Sequence, residues 1–109
     1  MITSTTTGTL GALNATVTMS ADVADRYSVQ VTGTWAGTIT FECSVDGTNW
    51  VSEAVVSSAS TAITTGVTTT TTNGVWSSDA YAIPYVRVKM TAYTSGTATV
   101  TFASARTSK

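Results

Sequence analysis

The sequence predicts an all-β protein, an antiparallel β-sandwich of either the jelly-roll or the immunoglobulin-like kind. Three observations lead to this fold class. Apolar and polar residues alternate over several short stretches, turn signals recur about every 8–12 residues, and no stretch has the period of an amphipathic helix. We expect about seven to nine short strands, a number typical of a sandwich. The Cys–Trp–Cys pattern of true immunoglobulin domains is absent, so the strand order stays open.

The N-terminal half is predicted to hold three strands after a threonine-rich arm. Residues 1–9 form the arm and carry no charge; they could be frayed, an outer strand, or a segment that orders on a partner. In each strand the apolar side chains alternate with polar ones, so that one face is buried and the other is wet. The predicted strands are 12–19, 27–32 and 37–45, separated by a polar turn at 20–26 and by Gly33.

The middle of the chain gives weaker signals. Residues 46–49, Asp-Gly-Thr-Asn, contain the strongest short-range hairpin signal, because glycine tolerates the positive φ of a tight turn. Residues 50–56 are predicted to be extended. Residues 61–72 are rich in threonine without apolar alternation, which suits a sheet edge or an intermolecular contact. The Asn-Gly pair at 73–74 predicts another turn, with Trp76 in the loop that follows.

The C-terminal part is predicted to form a hairpin. Its first strand, 85–93, buries Val86, Val88, Met90 and Ala92. The Ser-Gly pair at 95–96 is expected to reverse the chain into a second strand at 97–103. A single domain would then span 10–105, and residues 106–109 would be a frayed tail.

The outward face of strand 85–93 is the best candidate for an interaction surface. Tyrosine and arginine are enriched where proteins meet. In the alternative interpretation this is a solvated sheet face, whose basic residues pair across strands with Glu42 or Glu53. The outward residues are Tyr85, Arg87, Lys89 and Tyr93.

Trp76 is a further candidate for this interaction surface, and two placements of its side chain are open. It could fold back into the core, or it could stand out as an interface anchor or a sugar-stacking platform, a role that Tyr81 could share. Trp35 and Trp50 flank the best buried strand and are expected in the core. Cys43 lies on the inner face of that strand and is expected to pack as a small hydrophobic residue.

The residue types argue against several functional classes. The chain has no histidine, and its six carboxylates are scattered, so no catalytic, metal or cofactor site is predicted. Only 10% of residues are charged and the net charge is −1, which gives no basis for nucleic-acid binding. Threonine supplies about a quarter of the chain and keeps the surface polar without charge. No signal peptide or membrane helix is predicted. We therefore expect a protein that is not an enzyme and stays in the cytoplasm, or leaves it by lysis or assembly.

Two stretches resemble a family of small β-sandwich proteins that occur as virion structural proteins of tailed bacteriophages. They are GTWAGTITFECSVDGTNW, starting at Gly33, and YVRVKMTAYTSGTATVTF, starting at Tyr85. The resemblance implies a structural, non-enzymatic role on a phage particle, with the protein located in the virion after synthesis in the host cytoplasm. Capsid decoration, in which a cement protein bridges coat subunits, is the favoured role. A tail, head-fibre or baseplate module that binds a protein or a host carbohydrate is the alternative. The implied partners are the major capsid protein or other virion proteins, and further copies of the chain, with a trimer favoured.

Overall fold

The structure, a computed structural model, describes residues 2–21, 24–57, 66–80 and 83–106. These residues form eight antiparallel β-strands in one sheet and no helix, which confirms the predicted all-β fold class. The strands are β1 (Ile2–Leu10), β2 (Thr16–Ser20), β3 (Arg26–Ser44), β4 (Val51–Ser52), β5 (Val56–Ser57), β6 (Thr69–Thr70), β7 (Gly74–Asp79) and β8 (Tyr85–Ala105).

Two long strands organise the sheet. β3 has 19 residues and β8 has 21, and they pair with each other from one end to the other. In one half, the start of β3 and the end of β8 lie between β7 and β1, with β5 beyond β7. In the other half, the end of β3 and the start of β8 are flanked by β4, β6 and β2. The two layers of the sandwich are therefore the two halves of one folded sheet.

The core lies between these halves. Phe41, from one half, packs against Trp76, from the other, with ring centroids 5.3 Å apart. On the opposite flank, a Cβ added at Gly8 in β1 would lie 2.8 Å from Cγ2 of Val17 in β2, so these two strands are in close contact across the core. Side chains that are almost fully buried come from both halves of both long strands; they include Val29, Val31, Ile39, Phe41, Val86, Val88, Met90, Ala98, Val100 and Phe102.

Two irregularities in β8 keep its core-facing side chains on the same face of the sheet before and after the bend. Near the bend the register with β3 shifts twice, leaving one extra residue of β8 at Thr94 and another at Thr91. A shift of one residue would turn every following side chain to the other face, because side chains alternate along a strand. The second shift cancels the first. Even-numbered residues of β8 consequently face the core on both sides of the bend.

The reversal predicted at residues 95–96 is wrong, and so is the interruption predicted at Gly33. Gly96 has a φ of 83° but lies inside β8, opposite Trp35 of β3, and Gly33 with a φ of 101° lies inside β3. Positive-φ glycine serves a sharply bent strand as well as a tight turn. The sequence signal is the same in both cases, so two predicted hairpin arms are one continuous strand.

Other boundaries also differ. The arm residues form β1, which is the outer-strand alternative, paired with β8 along its length. The strand predicted at 12–19 begins only at Thr16, because Asn14 has a positive φ of 67° and Leu13 is 56% exposed. Of the threonine-rich stretch, residues 61–65 lie outside the described part, as do residues 107–109 of the predicted tail.

Candidate interaction surface

The outer face of β2, β8 and β3 carries three of the five residues predicted to interact. Tyr85, Arg87 and Lys89 alternate on β8 with the buried Val86 and Val88, and all three are partly exposed. They lie opposite Ser20, Thr18 and Thr16 of β2 on one side, and opposite Ser44, Glu42 and Thr40 of β3 on the other. The predicted stripe therefore exists for these three side chains, in the middle of a three-stranded face.

Arg87 is held by two contacts within the chain. Its Nε donates to Oε1 of Glu42 at 2.7 Å, and the two side chains are only 18% and 15% exposed. Its guanidinium carbon lies 4.1 Å from the centroid of the Trp50 ring, a cation–π geometry. The guanidinium is thus fixed between a carboxylate and an indole. Glu42 is one of the two cross-strand partners that the sequence suggested, whereas the contact with Trp50 was missed.

Trp50 occupies a different place from the one predicted. It was expected in the core, but its ring is only partly buried and covers Arg87 on the outer face. Trp35 is also partly buried, although it packs against the core. Its Nε1 donates to Oδ1 of Asn73 at 2.7 Å, and Nδ2 of Asn73 donates to the carbonyl of Gly33 at 3.0 Å. Each ring therefore combines partial burial with a polar contact: Trp35 donates to Asn73, and Trp50 stacks with Arg87.

The structure separates Tyr93 and Trp76 from the other candidates. Tyr93 lies at the bend, where the register shift places it opposite Gly37 and out of phase with Tyr85; its hydroxyl donates to the carbonyl of Gly96 at 3.0 Å. Trp76 lies on β7 rather than in a loop and is only 6% exposed. The core alternative for Trp76 is therefore the correct one. The exposed-anchor alternative fails because the ring packs against Phe41. Tyr81 lies outside the described residues.

A polar cluster that the sequence did not reveal lies around Glu53, just after β4. The hydroxyl of the buried Tyr27 and the thiol of Cys43 both donate hydrogen bonds to its carboxylate. Tyr27 lies at the start of β3 and Cys43 near its end, so the fold of the sheet brings them together. The sequence offered no signal for this cluster, because the three residues are far apart along the chain.

Burial dominates the electrostatics of this cluster. Loss of hydration raises the pKa of Glu53, and the charge of Asp79 adds to the rise, while the hydrogen bonds from Tyr27 and Cys43 oppose it. Burial and the neighbouring Glu53 also raise the pKa of Cys43 and strongly raise that of Tyr27. Cys43 is partly buried and packs against the core as predicted, and it also has a polar contact with Glu53; burial disfavours its thiolate.

Asp46 organises the turn between β3 and β4. Its Oδ1 accepts from the backbone N–H groups of Thr48 and Asn49, both at 2.8 Å, and its Oδ2 accepts from Nδ2 of Asn49 at 2.8 Å. These bonds, led by the one from the Asn49 backbone, hold the pKa of Asp46 far below its usual range. The turn prediction at 46–49 is confirmed, since β4 pairs back onto β3. Among the described residues no group of three or more His, Cys, Asp or Glu side chains could hold a metal ion.

A surface depression of about 350 Å³ lies beside β7 and β5, but it offers no unpaired charge for a ligand. Its two charged side chains, Arg26 and Asp79, face each other at 2.7 Å and are 48% and 59% exposed. The rest of its lining is Val56, Ser77 and Ser78. In the part of the chain that the structure describes, no helix has the length and apolar character needed to span a membrane.

The sequence matches no protein-family model and no curated protein. The fold is similar to two solved structures. One is the SPBc2 prophage-derived protein YomS, with a TM-score of 0.70, 14% identity and 94% of this chain covering 96% of that one. The other is the PBSX exported protein XepA, with a TM-score of 0.71 and 16% identity over 95% of this chain. The chain spans 39% of the length of XepA. At these identities the two comparisons show a shared fold.

Proposed function

We propose that this chain is a non-enzymatic structural protein of a bacteriophage particle, and specifically a capsid decoration protein that bridges coat subunits. The observation that carries the proposal is the similarity to YomS, which extends over nearly the full length of both chains. The shared fold covers 94% of this chain and 96% of YomS, which is a prophage-derived protein. The partners would be the major capsid protein and other copies of this chain.

The surface supports a role based on packing. The outward positions at the centre of the half that contains β1 are threonine, serine, alanine and glutamine, with Val75 and Val56 toward the far edge. The charged side chains of the other face are neutralised within the chain where Arg87 meets Glu42. Such a surface favours contacts made by shape and backbone pairing rather than by strong charge.

A second candidate role follows from XepA, which is described as an exported protein. In this alternative the chain would be released from the producing cell and act away from the particle. The shared fold covers only 39% of XepA, so the remainder of that protein has no counterpart in this domain.

The experiment that tests these roles is a quantitative mass-spectrometric measurement of the chain in purified particles and in particle-free medium. A copy number comparable to that of the major coat protein supports capsid decoration. A much lower number on particles would favour a tail, fibre or baseplate module instead. Recovery in the medium, with none on particles, would overturn the virion role and favour export.

A further inference from the structure

Within the described part of the chain, the outer edge of β1 is open along its whole length. β1 pairs through one side with β8, and the described residues provide no partner strand for its other side. Its neighbour β2 lies across the core, as the contact between Gly8 and Val17 shows, and so covers a face of β1 rather than its edge. Every second residue of β1 therefore directs its N–H and C=O groups away from β8.

Among the residues that the structure describes, the other edge strands of the sheet are short. At the opposite end of the same half, β5 has two residues, and in the other half β4 and β6 also have two each. β2 has five residues and starts directly after the turn at Asn14. Very short edge strands are one of the ways in which proteins prevent unwanted pairing. β1, with nine residues, is the exception.

β1 also lacks the other protective features of an edge. Residues 2–10 contain no charged residue and no proline, and the single register irregularity lies at the far end, between Ile2 and Ser4. The outward side chains Thr5, Thr7 and Thr9 are exposed and β-branched, which favours the extended conformation. The strand is therefore ready to accept another uncharged strand of similar length.

We propose that two copies of the chain pair through β1, antiparallel and around a two-fold axis at Thr6, to form one continuous sheet. This register centres on residues 4–8, which follow β8 without a register shift, and it places Thr5 opposite Thr7 of the second copy and Ser4 opposite Gly8. Each of these positions keeps the face that it has in the single chain, because residues of equal parity meet. Threonine pairs across strands are favourable, and about four to six new backbone hydrogen bonds form over this segment.

A second copy is the occupant that best matches this edge. A two-fold antiparallel arrangement requires a strand that complements itself, and β1 does so in length and in its lack of charge. The net charge of −1 per chain gives little repulsion between copies. Edge pairing buries a small area, so we expect a reversible dimer with a dissociation constant on the order of micromolar.

The test compares two double variants of the full chain by sedimentation equilibrium across a range of concentrations. Thr5→Lys with Thr7→Lys places like charges opposite each other at the proposed axis. The control, Gln30→Lys with Thr32→Lys, adds the same charge at exposed positions of the same face, but on β3, which is separated from the edge by β8. We expect the edge variant to weaken dimerisation at least about tenfold and the control to leave it within about twofold. Circular dichroism verifies that both remain folded.

A cysteine experiment tests the register separately, in a Cys43→Ser background. Thr6→Cys brings the two thiols together at the axis, within the range that a disulfide spans. Thr9→Cys leaves them about 20 Å apart, given a rise of about 3.4 Å per residue. Position 9 is the more exposed of the two, so indiscriminate oxidation would favour it. We expect an intermolecular disulfide from Thr6→Cys alone.

The results that would overturn the proposal are distinct. A monomer at all concentrations up to hundreds of micromolar excludes the dimer. A trimer or larger ring excludes the two-fold arrangement, and a dimer that the edge lysines leave intact places the interface elsewhere. Faster cross-linking at position 9 than at position 6 excludes the register. A concentration-dependent dimer that the edge lysines weaken and the control spares supports the proposal, whatever role the protein has in the phage.

Discussion

Replacement of Gly96 tests the central feature of the fold, the unbroken course of β8 through the bend. Gly96 has a φ of 83°, and a Cβ at this position would lie 2.3 Å from the carbonyl oxygen of Thr34 and 2.8 Å from Cα of Trp35. Both contacts are shorter than the 3.0 Å below which real Cβ atoms are essentially never found. The atoms in the way belong to the backbone of β3 and cannot rotate aside. The two long strands would have to move apart.

The expected costs follow from two separate terms. Gly96→Ala places an alanine in the left-handed region, at about 1–2 kcal/mol, and forces the strands apart, at about 1–3 kcal/mol, for a total of about 2–5 kcal/mol. Gly96→Asn largely removes the first term, because asparagine tolerates positive φ, and keeps the second, about 1–3 kcal/mol. An exposed hairpin turn, in contrast, would accept asparagine with little loss.

Gly47 provides the matched control. Its φ of 79° is nearly the same, but a Cβ there would meet only the ring of Tyr85, at an ordinary contact distance of 3.4 Å. We expect Gly47→Asn to change the free energy of unfolding by less than about 0.5 kcal/mol. Urea unfolding followed by circular dichroism and by tryptophan fluorescence measures all three variants. If Gly96→Asn proved as stable as Gly47→Asn, residues 95–96 would form an open turn and the continuous strand would be refuted.

Three further predictions concern the polar contacts. In the folded protein the pKa of Glu53 is raised above its ordinary value of 4.5. Above pH 4.5 the folded state therefore retains a proton that the unfolded chain has lost. As a result, the contribution of Glu53 to the free energy of unfolding falls as pH rises from 4.5 through the raised pKa. Glu53→Gln should flatten that part of the stability–pH curve measured by urea unfolding; an unchanged curve would contradict the assignment. Arg87→Ala should lower the free energy of unfolding by about 2 kcal/mol, because it leaves the largely buried Glu42 unpaired and uncovers Trp50. Lys89→Ala should lower it by less than about 0.5 kcal/mol. Equal losses in thermal unfolding would argue against this difference. The Cys43 thiol should react with an aromatic disulfide reagent at least about tenfold more slowly in the native protein than in urea, because burial raises its pKa; similar rates would mean that it is freely accessible.

The alternation of apolar and polar residues predicted the faces of the strands well. Val29, Val31, Ile39 and Phe41 lie in the core as expected, and so do Val86, Val88 and Met90 of β8. The prediction that Ala92 is buried is wrong, because it lies at the exposed bend of β8. Alternation is a local signal, and it survives in the structure because the two register shifts of β8 cancel. It carries no information about whether a glycine ends a strand or bends it. For that reason two long strands were predicted as four short ones.

The candidate surface was predicted only in part for the same kind of reason. Placing Tyr85, Arg87 and Lys89 on one outward face needs only the strand period. The stacking of Trp50 on Arg87 depends on the path of the turn after β3, which no periodicity encodes. The hydrogen bonds around Glu53 depend on the two ends of β3 coming together when the sheet folds. Both features belong to the topology rather than to any segment.

Which strand edges are free is the feature of a β protein that is hardest to predict from sequence, and here the free edges bear most directly on assembly. A strand's sequence states which side chains face inward, but its edge is free or covered according to which other strand lies beside it. Residues 2–10 have the same threonine-rich character as the strongly paired residues 97–101, and only the sheet order places the first group outermost and the second in the interior of the sheet. A chain with so few charged residues cannot protect all of its edge strands from pairing by placing lysine on them. In the part of the chain that the structure describes, the other edge strands are short, so the nine-residue edge of β1 is the place where self-association should begin.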